Sequence, residues 1–318
     1  MRVLLWRVHG GYTDAVVQGS HEYLFLRADD PRCPGIEITA TATAKREVTT
    51  AELLVDPPDV VVVQRLEEIE LCGRLLGWQL GVDVPAVFLE HNTPRADVPQ
   101  TPHPLADRPG WLIVHVTYFN ALFWDCGSTP TVVVEHGIAD PGLRYTGELP
   151  RAAFVVNEPV RRGRVTGTDL LPHFGPSPVD AFGIDGDRLA AALGPGGDHV
   201  RFAGNMGPDE LYEALAQRRV YLHLNRWTSL GLSLLEAMHL GLPVVVLGTT
   251  EAHRAVPPEA GFVSTDVAEL VRIARRLLAD PAEAAERGLA ARAAAVQRYG
   301  LRRFLTDWDA VFARCRQS

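Results

Sequence analysis

The chain has 318 residues, 47% hydrophobic and 22% charged, which predicts a folded protein of two domains rather than one core or a disordered chain. A net charge of −8 argues against a general binder of nucleic acid or of anionic membrane. Lys45 is the only lysine and no glycine-rich turn precedes it, so a Walker A loop is excluded and Schiff-base chemistry would rest on this one residue.

Apolar runs alternate with helical patterns along the whole chain, which predicts α/β architecture with parallel sheets flanked by helices. In the first half the expected strands are Val3–Val8, Gly35–Thr39, Val60–Val63, Ala86–Leu89, Leu112–Val116 and Thr131–Val134, with helical stretches at Thr50–Val55 and Arg65–Leu80. The first strand closes on His9-Gly10-Gly11-Tyr12, where adjacent glycines let the backbone approach a ligand or turn with positive φ. This is not the G-x-G-x-x-G fingerprint of a dinucleotide site. His91 lies just past the end of the strand Ala86–Leu89, the edge at which open α/β sheets bind ligands. A neutral imidazole there can hydrogen-bond a sugar hydroxyl or shape charge near a reacting carbon.

The turn-rich segment His136–Pro150 separates the two series of elements and places the domain boundary near residue 145. Beyond it the expected strands are Ala152–Val156, Val179–Phe182, Val200–Phe202, Val220–Leu224 and Val244–Leu247, with helices near Thr168–His173, Pro208–Gln217, Leu230–Leu240 and Val267–Ala279. After the first of these strands comes a basic run holding Arg161, Arg162 and Arg164, whose guanidinium forks suit phosphate oxygens, ahead of an N-cap candidate at Thr168. Asp185-Gly186-Asp187 reads as an N-cap with an acidic first turn, not as a metal-binding D-x-D. Gly204-Asn205-Met206-Gly207-Pro208 reads as a turn and helix start. The final helices, Pro281–Arg298 and Leu301–Arg314, have no strand after them.

The richest stretch is Leu224–Val246, LNRWTSLGLSLLEAMHLGLPVVV. Its turn at Ser229-Leu230-Gly231 aims free N–H groups and a helix N-terminus outward, an arrangement suited to a diphosphate. Glu236 follows on the first turns of that helix, where a carboxylate can accept from the vicinal hydroxyls of a ribose. The four cysteines show no metal-ligand or C-x-x-C spacing, so neither zinc nor a disulfide framework is signalled. The N-terminus is too short and polar for a signal peptide and no apolar run reaches membrane-spanning length. These features lead us to expect a cytoplasmic protein and leave peripheral membrane contact open.

SLGLSLLEAMHLGLPVV resembles the donor-site signature of the GT-B glycosyltransferases of family 4, a bacterial-type pattern of Glu, Gly-Phe-Gly-Leu, Glu-Ala-Met and Gly-x-Pro-Val. The resemblance implies a GT-B fold: two Rossmann-like domains facing a cleft, residues 1–145 on the acceptor side and 146–300 on the donor side. Residues 301–318, with Trp308, would form a helix packing back on the first domain. It further implies a nucleotide-diphosphate sugar donor, an acceptor the sequence does not name, no required metal or other cofactor, and retention of anomeric configuration. Glu236 would hold the nucleotide ribose, while Leu230, Gly231 and Leu232 face the diphosphate beside Ser229. Gly10 and Gly11 match the glycine pair of the first domain, and His91 a histidine common at that strand end. Asn205 and Met206 would cover the base, and Asn225 and Arg226 would line the donor pocket. Arg161 falls on the family's phosphate-binding arginine; with His91 and Glu236 it makes the expected catalytic set. Two positions depart from the pattern: the first Glu is Thr228 and the phosphate-binding Lys is Thr166, with Arg162 and Arg164 available to compensate. Those departures keep two alternatives open, an inactive nucleotide-sugar-binding module and an epimerase or phosphorylase on the same scaffold.

Overall fold

The structure is a computed structural model that describes residues 1–27, 45–95 and 97–316, with only the backbone of Lys45. It divides into two compact units, residues 1–137 with 301–318, and residues 138–300. The division falls at Gly137/Ile138, upstream of residue 145. The Ile138 N–H donates to Tyr299 O, and the Arg144 and Tyr145 N–H groups donate to Leu240 O, which binds this stretch into the second unit.

Among the described residues, the first unit holds a seven-stranded sheet in the order β3-β2-β1-β4-β5-β6-β7. Its strands are β1 (Arg2–Leu5), β2 (Glu22–Leu26), β3 (Lys45–Val48), β4 (Val60–Val63), β5 (Ala86–Glu90), β6 (Trp111–His115) and β7 (Thr131–Val133). Its helices are α1 (Gly10–Val16), α2 (Thr50–Val55), α3 (Leu66–Leu76) and α4 (Tyr118–Phe123). The second unit holds a six-stranded sheet in the order β10-β9-β8-β11-β12-β13. These strands are β8 (Leu149–Val155), β9 (Val179–Phe182), β10 (Val200–Gly204), β11 (Arg218–His223), β12 (Val244–Leu247) and β13 (Gly261–Ser264). Helices α5 (Pro159–Thr166), α6 (Leu189–Leu193), α7 (Pro208–Gln217), α8 (Leu232–Leu240), α9 (Ala252–Ala255), α10 (Val267–Ala279) and α11 (Pro281–Tyr299) connect and cover them, and α12 (Leu301–Cys315) returns to the first unit.

Neighbouring strands of both sheets pair in parallel. The run Val60–Val63 shows why: four β-branched residues suit a strand buried on both faces, and none is more than 3% exposed. The period of two then sorts side chains between layers. Val3, Leu5, Val60 and Val62 join Tyr12 of α1 and Phe304, Trp308 and Phe312 of α12, whereas Leu4, Val61 and Val63 join Leu53 of α2 and Leu71 of α3. Helix α12 thus completes one face of the first sheet. In the second unit Ala153, Tyr221 and Val244 face α8 and α11, and Phe154, Leu222 and Val245 face α10.

Several sequence expectations change. Strand β1 ends at Leu5, not Val8, and α1 begins directly at Gly10. The expected strand Gly35–Thr39 lies outside the described residues. The basic run contains α5, and Thr168 is no N-cap: it opens a 3-10 helix, Thr168–Phe174, behind a left-handed Gly167 and with Pro172 inside. Asp185 and Asp187 do not cap α6, whose cap position is Arg188 without a side-chain bond; Asp185 instead turns the chain at φ +57°.

Candidate functional site

Both sheets contain one point at which strand order reverses. It lies between β1 and β4 in the first and between β8 and β11 in the second. Loops leaving the carboxyl ends of such strands diverge to opposite faces and leave a crevice. Of the residues singled out from the sequence, Gly10 and Gly11 follow β1, Arg161, Arg162 and Arg164 follow β8, and Asn225 to Glu236 follow β11, whereas His91 follows β5 and Asn205 and Met206 follow the edge strand β10.

In the second unit the loops after β8 and β11 are stitched together. The Arg226 and Trp227 N–H groups donate to Val165 O, and a Cβ on Gly167 would stand 1.9 Å from Leu224 O. Gly167 is also at φ +74°, so both conformation and space reserve this position for glycine. Non-glycine residues with positive φ punctuate the same sheet edge, Glu158 after β8, Asp185 after β9 and Thr250 after β12.

Helix α8 starts at Leu232 behind Gly231, which has no side chain to cap it. Ser229 and Leu230 are buried, so this turn can offer a ligand its backbone but not those two side chains. Gly231 is fixed by space: a Cβ there would meet His223 Cε1 at 2.8 Å and Asn225 Nδ2 at 3.4 Å. His223 is buried, its acidity set by that burial to a pKa of about 4, and Asn225 Nδ2 lies 3.2 Å from its Nε2. We therefore expect Gly231→Ala to push the α8 N-terminus off this ring and cost about 1–3 kcal/mol, the usual price of overpacking. Thermal melting would read it as a lowered Tm, and a wild-type Tm would show that the ring yields.

Glu236 is half-buried and held by Tyr212 of α7, whose Oη donates to Glu236 Oε1 at 3.0 Å. Burial pushes the Glu236 carboxyl above its ordinary value, and the Tyr212 bond opposes that. Asn205 is exposed after β10, and Met206 packs on the core beneath α8.

The arginines divide by position. Arg161 is exposed and paired with Glu158, and Arg164 is exposed with Asp169 at 3.6 Å. Arg162 is half-buried. Arg226 bridges both loops, donating to Arg164 O at 2.9 Å and to Asp169. Thr166 is buried, its hydroxyl donating to Gly163 O at 3.2 Å with Thr168 Oγ1 at 3.0 Å, so it faces the protein rather than a ligand. Thr228 Oγ1 is buried with no hydrogen-bond partner among the described residues.

In the first unit the site is a cluster of rings. His9 follows β1 and its ring lies 4.1 Å from that of His91, which follows β5. Tyr12 meets His91 edge-on at 4.9 Å and His136 at 5.7 Å. Burial, then His9 and His136, hold His91 well below the ordinary histidine range; burial, Arg303 and His9 bring His136 to about 3. These imidazoles are neutral at neutral pH. Gly10 and Gly11 do not turn with positive φ: they form the first turn of α1, where Gly10 faces the Arg7 guanidinium.

Sequence reasoning missed His9, Tyr12, Gln64, His136, Tyr212 and His223 as parts of these clusters. Strand-end position signals His9, Gln64 and His223, but only once strand order is known. Tyr212 and Tyr12 lie on helices and carry no such signal.

No helix among the described residues is long and apolar enough to cross a membrane. Residues 180–280, from β9 through α10 and including Glu236, match the family Glycosyl transferases group 1. No curated protein sequence matches the chain. Solved structures of similar fold include HepE of Anabaena in complex with UDP and glucose, at TM-score 0.72 and 14% identity over 98% of this chain and 99% of that one. Sucrose-phosphate synthase of Thermosynechococcus elongatus aligns at TM-score 0.71 and 15% identity over 99% and 98%. TarM of S. aureus, in complex with fondaparinux, alpha-GlcNAc-glycerol and UDP, aligns at TM-score 0.60 and 12% identity over 80% of this chain, which spans 55% of TarM. The two-sheet α/β architecture is the GT-B fold, and residues 180–280 of its second unit are similar to the group 1 glycosyltransferases.

Proposed function

We propose that the protein transfers a sugar from a nucleoside diphosphate sugar to a hydroxyl-bearing acceptor, with retention of configuration, without a required metal, and in the cytoplasm. One observation carries the reading. Glu236, braced by Tyr212, stands one turn into a helix whose uncapped N-terminus opens at the switch point of the second sheet. The carboxylate accepts from ribose hydroxyls while the helix end and the Ser229-Leu230-Gly231 backbone take the diphosphate. Arg226, in the same loop, supplies charge, and Arg162 adds to it from α5. Departure of the diphosphate leaves positive charge on the glycosyl carbon, and fixed donors on the leaving group lower that barrier without reorganising. No protein nucleophile is needed when the acceptor attacks on the face the leaving group vacates. The first unit takes the acceptor side, with the ring cluster around His91.

A second reading, a nucleotide-sugar-binding module without transfer, draws on Thr166 and Arg161. The first is spent inside the protein and the second is turned onto Glu158, which thins the charge available to a leaving diphosphate.

The test is thermal melting against UDP, GDP, ADP and dTDP and their sugar conjugates, followed by transfer assays with the one that binds. At a hundred times Kd a ligand adds about 2.7 kcal/mol, a shift of several degrees for a unit of this size. One nucleotide stabilising the protein supports the donor site and names the base. No shift with any of them removes it, and binding without turnover on any acceptor favours the second reading.

A further inference from the structure

Gln64 immediately follows β4, which lies between β1 and β5 in the sheet. It is 7% exposed, and its side chain spans both neighbours: Nε2 donates to Trp6 O after β1 at 2.7 Å, and Oε1 lies 2.8 Å from His91 Nε2 after β5. Its backbone N–H is fixed as well, donating to the buried carboxylate of Glu68 at 2.7 Å. The amide cannot be turned over. A carbonyl such as Trp6 O only accepts, so the amide group facing it must be the NH2, and the group facing His91 must be the oxygen. An oxygen with no proton requires that His91 Nε2 bear one.

We infer that Gln64 is a positioning residue that locks His91 in the Nε2–H tautomer, so that Nδ1 carries the lone pair and the ring meets a substrate as a hydrogen-bond acceptor. The ring's own packing supports the lock, since His9 and Tyr12 bound two of its sides and limit its rotation. Which nitrogen holds the proton is set by the bond the other one makes. The substrate group that His91 recognises is then a donor, a hydroxyl of the sugar or of the acceptor, and not a phosphate oxygen or a carbonyl. The inference about substrate rests on the transferase reading; the tautomer does not.

The experiment is nitrogen-15 NMR of the histidine side chains of the full chain, assigned with His91→Gln, combined with steady-state kinetics. We expect His91 to show a protonated Nε2 and an unprotonated Nδ1 in the wild type. Gln64→Leu keeps the volume and removes the acceptor, and is expected to mix the tautomers and to lower kcat roughly tenfold, as loss of a group that orients a ligating or catalytic ring does, with KM little changed. Gln64→Glu places an acceptor at the same position and is expected to restore the Nε2–H form while its carboxyl is protonated, because its second oxygen must then donate to Trp6 O. A wild-type His91 protonated on Nδ1, or a Gln64→Leu protein with unchanged tautomer and kcat, overturns the assignment. A locked tautomer in a protein that moves no sugar upholds it while removing the transferase reading, so the two fail separately.

Discussion

Replacing Glu236 with alanine is expected to weaken nucleoside diphosphate binding by about a hundredfold or more while leaving the protein as stable as before, or more so. A hydrogen bond to a charged group is worth about 1.5–3 kcal/mol, and a ribose diol presents two donors to one carboxylate. Without ligand the balance runs the other way. Burial raises the Glu236 carboxyl above 4.5, which means the folded protein favours its protonated form. A group so raised contributes stability below its unfolded value, and that contribution is lost as pH rises through the folded one. Glu236, whenever ionised, is therefore a cost carried by the free protein, and Tyr212 offsets only part of it. Removing the carboxylate relieves that cost and destroys the site, the usual trade between stability and function. Calorimetric titration with the nucleotide found by melting, beside a melt of the free variant, reads both signs. Glu236→Gln keeps the shape and should fall between. Unchanged nucleotide affinity in Glu236→Ala would sink the ribose assignment.

The contrast between what the sequence announced and what it hid follows from where the chemistry is written. Val60–Val63 and the segment from Ser229 to Val246 declare themselves, because burial on both faces selects β-branched runs and a tight strand-turn-helix selects small residues. Strands β2, β3 and β13 were not read. Glu22–Leu26 opens on a charge, and Gly261–Ser264 is only half-buried over three of its four residues. Helix α5 gives no helical signal because Gly163 and three arginines break any apolar period, yet its pairing of Arg161 with Glu158 at i,i+3 is visible in the sequence. Gln64 was illegible for a different reason. Its meaning comes wholly from standing between Trp6 and His91, and no pattern in the chain says that β4 separates β1 from β5. Tyr212 and Glu236 are likewise neighbours only because α7 and α8 pack side by side. A residue's own chemistry and its place after a strand are written in the chain; the partner it meets from a distant strand or helix is not.

Asp180→Ala is expected to do the reverse of Glu236→Ala, costing about 3–5 kcal/mol of stability with nucleotide affinity unchanged wherever the protein stays folded. Asp180 is the second residue of β9 and fully buried. Arg151 of β8, Arg201 of β10 and Arg218 of β11 converge on it, with bonds of 2.8 to 3.0 Å to its two oxygens. Burial by itself would raise the carboxyl, and the three guanidinium groups outweigh it and hold the pKa below 3.8. A group so depressed contributes stability above its unfolded value and loses it as pH falls through the lower folded one. Wild type and variant should therefore converge in strong acid and differ most at neutral pH. The cost comes from what is left behind. Arg201 is well exposed and can return to water, but Arg218 is buried and would keep its charge without a counterion. Asp180→Asn, which keeps shape and acceptor but not charge, should lose less. Each of these residues lies at the start of its strand, at the end of the sheet away from Glu236, so the substitution tests the scaffold without touching the site. Urea unfolding measures it, and a midpoint within error of wild type would mean that the three arginines find other partners.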